Sequence, residues 1–284
     1  MKHLRRFQHS SLILGSRLDC TSYEAACDRI QGWIERRLSC YVIAANVHVV
    51  MTAIWKPRFQ TVINQAALVT PDGMPLVIAL RLLAQPTQQR VYGPDLMLAL
   101  CDRLAHQGTP IYLYGSTEAT LAKLSQTLHQ RFPQLIIAGT HAPPFRPLTA
   151  TEEATDRDRI HQSGAGAVFV SLGCPKQEEW MARQQGLLNA VMIGVGAAFS
   201  FHSGEVQQAP RWMMRWSLEW LYRLWTEPRR LWKRYLINNP MFVILFLVQW
   251  LTVTLRPVKL LPNNRFQASI AASSISPHAS GSKN

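Results

Sequence analysis

A succession of short apolar runs, separated by helix-forming stretches of ten or more residues, constrains this chain more than any other feature. The runs lie at 41–45, 67–70, 110–114, 135–138, 167–172 and 190–195. Between them, 22–37, 75–84, 93–106 and 151–163 carry helical patterning and start signals, with Thr21 or Ser22 as the cap of the first. Strands that are apolar throughout must be covered on both faces, and helical connections make their neighbours parallel. The expectation is a Rossmann-like α/β fold: a parallel sheet with helices on both faces. Ligands in such sheets bind beyond the carboxyl ends of the strands. That rule selects the loops at 44–46, 72–73, 115–116, 173–177 and 194–196.

After residue 205 the chain changes character. Residues 211–234 hold seven Arg or Lys and only Glu219 and Glu227 as acids. Six of the nine Trp lie between 212 and 250, and Trp212, Trp216 and Trp220, four apart, would share one helical face. From 241 to 255 there are fifteen residues without a charge. That is short of the roughly 20 apolar residues a bilayer span needs. Basic charge, indoles and an apolar run together point to a helical membrane-surface element, with Trp and Leu in the interface and Arg on anionic headgroups. An amphipathic helix packed on the core is the alternative. The expected organisation is therefore an α/β domain at 1–205, a basic, Trp-rich helical membrane-binding appendage at 206–265, and a Ser/Ala-rich disordered tail at 266–284.

The formal net charge of +13 calls for an anionic partner, whether a phosphorylated substrate, a membrane surface or a nucleic acid. A nucleic-acid module would explain the charge but not polar residues gathered at strand ends, so no nucleic-acid partner is expected. The five cysteines are scattered, without a C-x-x-C pair, and read as reduced thiols in a cytoplasmic protein. The apolar stretch at 12–14 is too short for a signal sequence, and the chain reads as not secreted.

Several residues at the strand ends can carry chemistry. Asp72, in Thr70-Pro71-Asp72-Gly73, can act as a general base on a hydroxyl, or it can cap the next helix. Arg90, just before the helix beginning at Gly93-Pro94-Asp95, can hold a phosphate bidentately beside free helix N–H groups, or it is a surface Arg. Gly115-Ser116 has the position of a nucleotide-binding turn, but no full G-x-G-x-x-G is present. Gly194-Val195-Gly196 comes nearer, with Phe199 where the third glycine belongs, so a dinucleotide enzyme is disfavoured. In Gly173-Cys174-Pro175-Lys176-Gln177-Glu178, Pro175 suits a first helical position, Lys176 can meet a phosphate and Gln177 can bond a base or sugar. Cys174 reads as structural. Asp156-Arg157-Asp158 has a D-x-D spelling but lies in a charged stretch that reads as a solvated face, and no metal site is expected.

Taken in order, these pieces resemble one family. Asn46 after its strand, Pro71-Asp72-Gly73-Met74-Pro75, Arg90-x-x-Gly93-Pro94-Asp95, Tyr114-Gly115-Ser116, Gly173-x-Pro175-Lys176-Gln177-Glu178-x-Trp180 and Gly194-Val195-Gly196-Ala197-Ala198-Phe199 are followed by Ala209-Pro210-Arg211-Trp212, Leu218-Glu219-Trp220-Leu221-Tyr222-Arg223 and Glu227-Pro228-Arg229-Arg230. The pattern, over roughly residues 10–245, is similar to the bacterial WecG/TagA/CpsF glycosyltransferases (glycosyltransferase family 26). The resemblance implies an inverting, metal-independent transferase without a cofactor. It would move a sugar, such as N-acetylmannosamine or its uronic acid, from a UDP-sugar to a polyprenyl-diphosphate-linked acceptor in cell-surface polysaccharide synthesis. It would work at the cytoplasmic face of the inner membrane, peripheral or shallowly inserted, and the sequence leaves room for a homo-oligomer.

The resemblance also assigns roles. Asp72 matches the base, Asn46 and Arg90 the active-site Asn and Arg, and Gln177 the pocket Gln. Gly73, Gly115, Ser116, Gly173, Pro175, Lys176, Gly194 and Gly196 fall around the substrate. Arg211, Arg215, Arg223, Arg229, Arg230 and Arg234 of the appendage would serve the membrane and the lipid diphosphate. The chain departs from the family pattern at Ala44, Ser200 and Gln208, where relatives carry Thr, Asp and Arg. Ala44 and Ser200 motivate one rival expectation, a catalytically inactive membrane-bound partner in a polysaccharide assembly complex.

Overall fold

The computed structural model describes residues 10–255. The tail expected to be disordered at 266–284, and the end of the expected appendage from 256, lie outside the described residues. The first described element is a hairpin that the sequence does not announce. Strand β1 (Ser10–Ile13) pairs antiparallel with β2 (Ser16–Asp19). Leu14 and Gly15 join them at φ 50° and 81°, both in the left-handed region that a twist-matched two-residue turn requires. Leucine is unusual in that conformation. It is held there by neighbours: Gln249 accepts from its N–H at 2.8 Å, and Gln60 donates to its carbonyl at 3.1 Å.

The rest of the body alternates as the apolar runs predict. Helix α1 (Tyr23–Glu35), capped by Ser22 accepting from the Ala25 N–H, leads to β3 (Cys40–Ala45), α2 (Val47–Trp55) and α3 (Pro57–Gln65). Then come β4 (Leu68–Pro71), α4 (Met74–Leu83), α5 (Gly93–His106), β5 (Ile111–Gly115), α6 (Glu118–Arg131) and β6 (Ile137–His141). Helix α7 (Ala150–Gln162), β7 (Ala167–Ser171), α8 (Lys176–Gln184), β8 (Val191–Gly194) and α9 (Ala198–His202) complete it. The sheet has six strands in the order β4-β3-β8-β7-β5-β6, every pair parallel.

Strand periodicity builds two cores. Tyr41, Ile43, Tyr114, Val168, Val170 and Met192 face one side with α2, α3, α4 and α8. Val42, Ile111, Leu113, Phe169, Val191 and Ile193 face the other with α1, α5, α6 and α9. Each fully buried large apolar side chain contributes about 1.5–3 kcal/mol, so both faces are strongly fixed. The helices after the neighbouring strands β3 and β8 leave on opposite faces, which opens a crevice between their carboxyl ends.

One strand lies later than its apolar run implies. The stretch at 135–138 gives way to β6 at Ile137–His141. Leu135 is buried in the approach to the strand. Gly139 passes so close to the Tyr112 ring that a Cβ there would stand 2.5 Å from it. The expected solvated face on α7 is also corrected at one position. Asp156 is buried, accepting from Tyr114 Oη at 2.8 Å and lying 3.0 Å from His141 Nε2, while Asp158 stays exposed.

Three further helices follow: α10 (Arg211–Arg215), α11 (Glu219–Thr226) and α12 (Pro228–Thr254). By contacts, one unit of the chain extends to Trp250 and a second begins at Leu251. The expected single face for Trp212, Trp216 and Trp220 is not formed. Ser217, at φ 61°, breaks the helix between α10 and α11. Trp212 and Trp216 are exposed, whereas Trp220 turns inward and meets Tyr235 at 6.1 Å.

Helix α12 is seated on the body along one stripe. Leu231, Phe242 and Phe246 are buried. Arg234 reaches Asn46, Asn238 reaches His48 at 3.2 Å, and the Gln249 amide donates to the Leu12 carbonyl at 2.6 Å. Burial and the Arg234 charge push His48 down to about 4, so its ring is neutral and accepts from the Asn238 amide. The opposite stripe, including Trp232, Leu236, Val243 and Leu247, is exposed.

Candidate active site

A cavity of about 620 Å³ opens at the carboxyl edge of the sheet. Its floor comes from the loops after β3, β4, β7 and β8. Its outer wall comes from α10, α11, α12 and the turns between them.

Asp72 follows β4 directly. Its N–H extends the ladder to the Ala45 carbonyl at 2.8 Å, which fixes the backbone before the chain turns. Gly73, not Asp72, occupies the N-cap of α4, and that helix has no side-chain cap. The carboxyl instead faces Arg90 and the start of α5. Only about a seventh of the side chain (14 %) remains accessible. Burial raises the Asp72 carboxyl to about 7, with Glu219 pushing the same way; Arg90, the Gly93 N–H and Arg223 pull it back without prevailing.

Arg90 is held on three sides. Its Nε donates to the Asp72 carbonyl, its Nη2 lies 2.6 Å from Glu219 Oε2, and its guanidinium sits 4.0 Å over the Tyr92 ring. The same Nη2 is 3.5 Å from Asp72 Oδ1, an ion pair without a hydrogen bond. Asn46 caps α2, accepting from Val49 N–H at 3.3 Å, and its Oδ1 is 3.5 Å from Arg234 Nη2. Three appendage arginines, Arg223, Arg230 and Arg234, line the cavity. Glu227 bridges the first two, at 3.7 Å and 2.7 Å.

Gln177 is buried near the start of α8 and serves as a brace. Its Oε1 accepts from Gly196 N–H at 3.1 Å and its Nε2 donates to Glu178 Oε1 at 3.2 Å. Glu178 is itself buried, which raises its carboxyl to about 7. Gly194 makes room for the brace, since a Cβ there would lie 2.5 Å from Gln177 Nε2.

The structure thus brings Asn46, Asp72, Gly73, Arg90, Gly173, Gln177 and Gly196 to one cavity with Arg223, Arg230 and Arg234. Gly115, Ser116, Pro175, Lys176 and Gly194 are not among its walls. Gly115, at φ 116°, lets β5 approach the Ser171 backbone closely, and the Ser116 N–H bonds the Ser171 carbonyl at 3.0 Å. That turn ties two strands together. Pro175 is the N-cap of α8 rather than its first residue. Lys176, Arg211, Arg215 and Arg229 are exposed outside the cavity. Of the departures, Ala44 and Ser200 line it and Gln208 does not. The Cys174 thiol also lines it, and burial pushes its pKa up, so it is no thiolate nucleophile.

Reading the sequence missed Glu219 and Tyr92 as parts of this site. The signal for Glu219 was its isolation, an acid between Arg211 and Arg223 in a basic segment. A charge kept against that trend needs a partner, and the partner is Arg90, 129 positions away.

Residues 12–256 match the family described as the glycosyl transferase WecG/TagA/CpsF family. Relatives include an N-acetylglucosaminyldiphosphoundecaprenol N-acetyl-beta-D-mannosaminyltransferase of Bacillus spizizenii strain W23, 30% identical over 74% of this chain and 80% of the relative. Proteins of the same description from Bacillus subtilis strain 168 and Staphylococcus aureus are 30% and 29% identical. They share 72% and 78% of this chain, and 78% and 85% of their own lengths.

Proposed function

The chain belongs to the WecG/TagA/CpsF family of glycosyl transferases, and from that premise we propose that it transfers an N-acetylhexosamine from a UDP-sugar to a polyprenyl-diphosphate-linked acceptor sugar. The observation that carries this reading is one cavity in which a carboxyl raised to about 7 stands beside Arg90, and whose walls also include Arg223, Arg230 and Arg234. A base whose pKa lies near the working pH combines a useful deprotonated fraction with proton affinity.

In the proposed reaction, Asp72 takes the proton of the acceptor hydroxyl as that oxygen attacks the anomeric carbon. The bond from that carbon to the diphosphate breaks on the opposite face, so the configuration inverts. Negative charge then develops on the leaving UDP. Guanidinium groups fixed before the reaction stabilise that charge with little reorganisation, and in this cavity four arginines supply it where other transferases use a divalent ion. Asn46, held by its cap bond and by Arg234, orients the reactants. Gln177 shapes the cavity through the Gly196 loop.

The relatives' names place their acceptor on an undecaprenyl diphosphate. By length and composition α12 is long and apolar enough to cross a membrane. Its inner stripe is occupied by the body, which favours a helix lying in the interface with its outer stripe, Trp216 and Trp225 in lipid. Exposed Arg211, Arg215 and Arg229 would meet anionic headgroups at about 1 kcal/mol each, and the proposed location is the cytoplasmic face of the membrane.

The test is a donor screen with full-length protein and a polyprenyl-diphosphate-linked N-acetylglucosamine acceptor. Turnover of a UDP-N-acetylhexosamine, undiminished by EDTA, is expected. No turnover of any nucleotide sugar would leave the inactive-partner reading, and strict dependence on a divalent ion would overturn the arginine-based mechanism.

A further inference from the structure

Among the described residues, Glu219 is the one carboxylate that the helices after residue 205 bring against Arg90. It comes from the first residue of α11 and makes two directed contacts. Oε2 meets Arg90 Nη2 at 2.6 Å, and Oε1 accepts from Tyr92 Oη at 3.0 Å. Arg90 therefore stands between two carboxylates at unequal distances, 2.6 Å from Glu219 and 3.5 Å from Asp72. A guanidinium is a planar fork suited to bidentate pairing with a carboxylate. Freed from Glu219, the Arg90 fork would be 3.5 Å from such a pair with Asp72, to which its Nε is already anchored through the main-chain carbonyl. Closing that gap would add hydrogen bonds to the long ion pair already there and lower the affinity of the Asp72 carboxylate for a proton.

We propose that Glu219 is a positioning residue of the transferase. By drawing Arg90 away from the Asp72 carboxylate, it keeps that carboxylate free to act as a base and leaves Arg90 facing the diphosphate. The inference rests on the roles given above to Asp72 and Arg90. It adds that α11 supplies a carboxylate to the site as well as the Arg223 guanidinium. A chain in which α11 is not docked would keep Asp72 and Arg90 but pair them with each other, so the base exists only when α11 is seated.

The groups facing Asp72 limit the other sources of such an effect. They are Tyr23 from α1, Arg90 and Tyr92 from the segment before α5, the Gly93 N–H of α5, and Glu219 and Arg223 from α11. Among these, Glu219 alone is a carboxylate, and it raises the Asp72 pKa while Arg90 lowers it. Tyr23 and Tyr92 are themselves pushed up by burial and remain neutral at working pH.

The experiment is the pH dependence of kcat/KM for full-length wild type, Glu219→Gln and Tyr92→Phe, with the lipid-linked acceptor and a saturating UDP-sugar. Glu219→Gln keeps the shape and removes the charge. Its acidic limb should move to lower pH by about one unit, and its high-pH plateau should fall as the base weakens. Tyr92→Phe removes only the hydroxyl that aims Glu219, and should move the limb the same way by less. That second variant decides the matter if Glu219→Gln does not fold. An acidic limb unmoved in a folded variant, with activity lost evenly at every pH, overturns the inference and leaves Glu219 a structural contact. Wild type and Asp72→Asn serve as controls. If wild type shows no transfer, or Asp72→Asn transfers normally, the reading of the reaction itself fails, and that outcome is distinct from an unmoved limb.

Discussion

In its proposed role, Asp72 would trade stability for chemistry. Its carboxyl is raised from the ordinary 3.8 to about 7 in the folded chain, so the folded state binds a proton that the unfolded state has released. Stability linked to this group is therefore fully present below about pH 4 and is lost as pH rises toward about 7. Glu178, also raised to about 7 by burial, acts in the same direction. Replacing Asp72 by Asn removes the ionisation. Thermal unfolding should show Asp72→Asn melting higher than wild type at about pH 8, by on the order of 1–3 kcal/mol, with the gap closing toward about pH 4. A gap that is absent, or that widens on acidification, would contradict the assigned direction. The residue scale is also where the sequence was most ambiguous. Asp72 as a base and Asp72 as a cap were equally readable, because a Thr-Pro-Asp-Gly turn serves either. Only the position of Arg90, 18 positions on, separates them.

At the scale of elements, the alternation of apolar runs specified the sheet because strands covered on both faces leave no other pattern. It could not announce the β1–β2 hairpin, whose Leu14-Gly15 turn lacks the Asn-Gly or Asp-Gly signature and depends on Gln249 from far along the chain. Nor could it tell a glycine that packs from one that binds. Gly115 and Gly194 sit at strand ends, as substrate glycines do, yet they admit the Ser171 backbone and the Gln177 amide. The tryptophan spacing misled for a related reason. A four-residue period predicts a face only if the helix is continuous, and it stops at Ser217. The break leaves Trp216 and Trp225 at 76 % and 86 % exposure, outside the cavity. If these indoles enter lipid, each contributes about 1.5–3 kcal/mol of burial, or tenfold and more in partitioning. Trp216→Ser combined with Trp225→Ser should sharply reduce flotation with vesicles containing anionic phospholipid while UDP binding is retained. Undiminished flotation would remove these side chains from the membrane surface.

For the whole molecule, the excess of basic residues is explained by where it falls. Three of the arginines after residue 205 line the cavity and three lie exposed beside indoles, so one segment can serve both a diphosphate and a lipid surface. The helices after β3 and β8 diverge to open the crevice, and α10 to α12 complete its wall. Composition made the segment visible, but its contribution of Glu219 was hidden, since that contact joins positions 129 apart. The central claim is that the Asp72 carboxyl performs chemistry that binding does not require. The most direct measurement compares wild type and Asp72→Asn, both full length and at about pH 8. Transfer to the lipid-linked acceptor is followed in one arm and UDP affinity by calorimetry in the other. The account predicts a rate lower by about 10²–10⁴-fold with UDP affinity held within about threefold. A rate close to wild type, or a loss of affinity that accounts for the whole loss of rate, would contradict it.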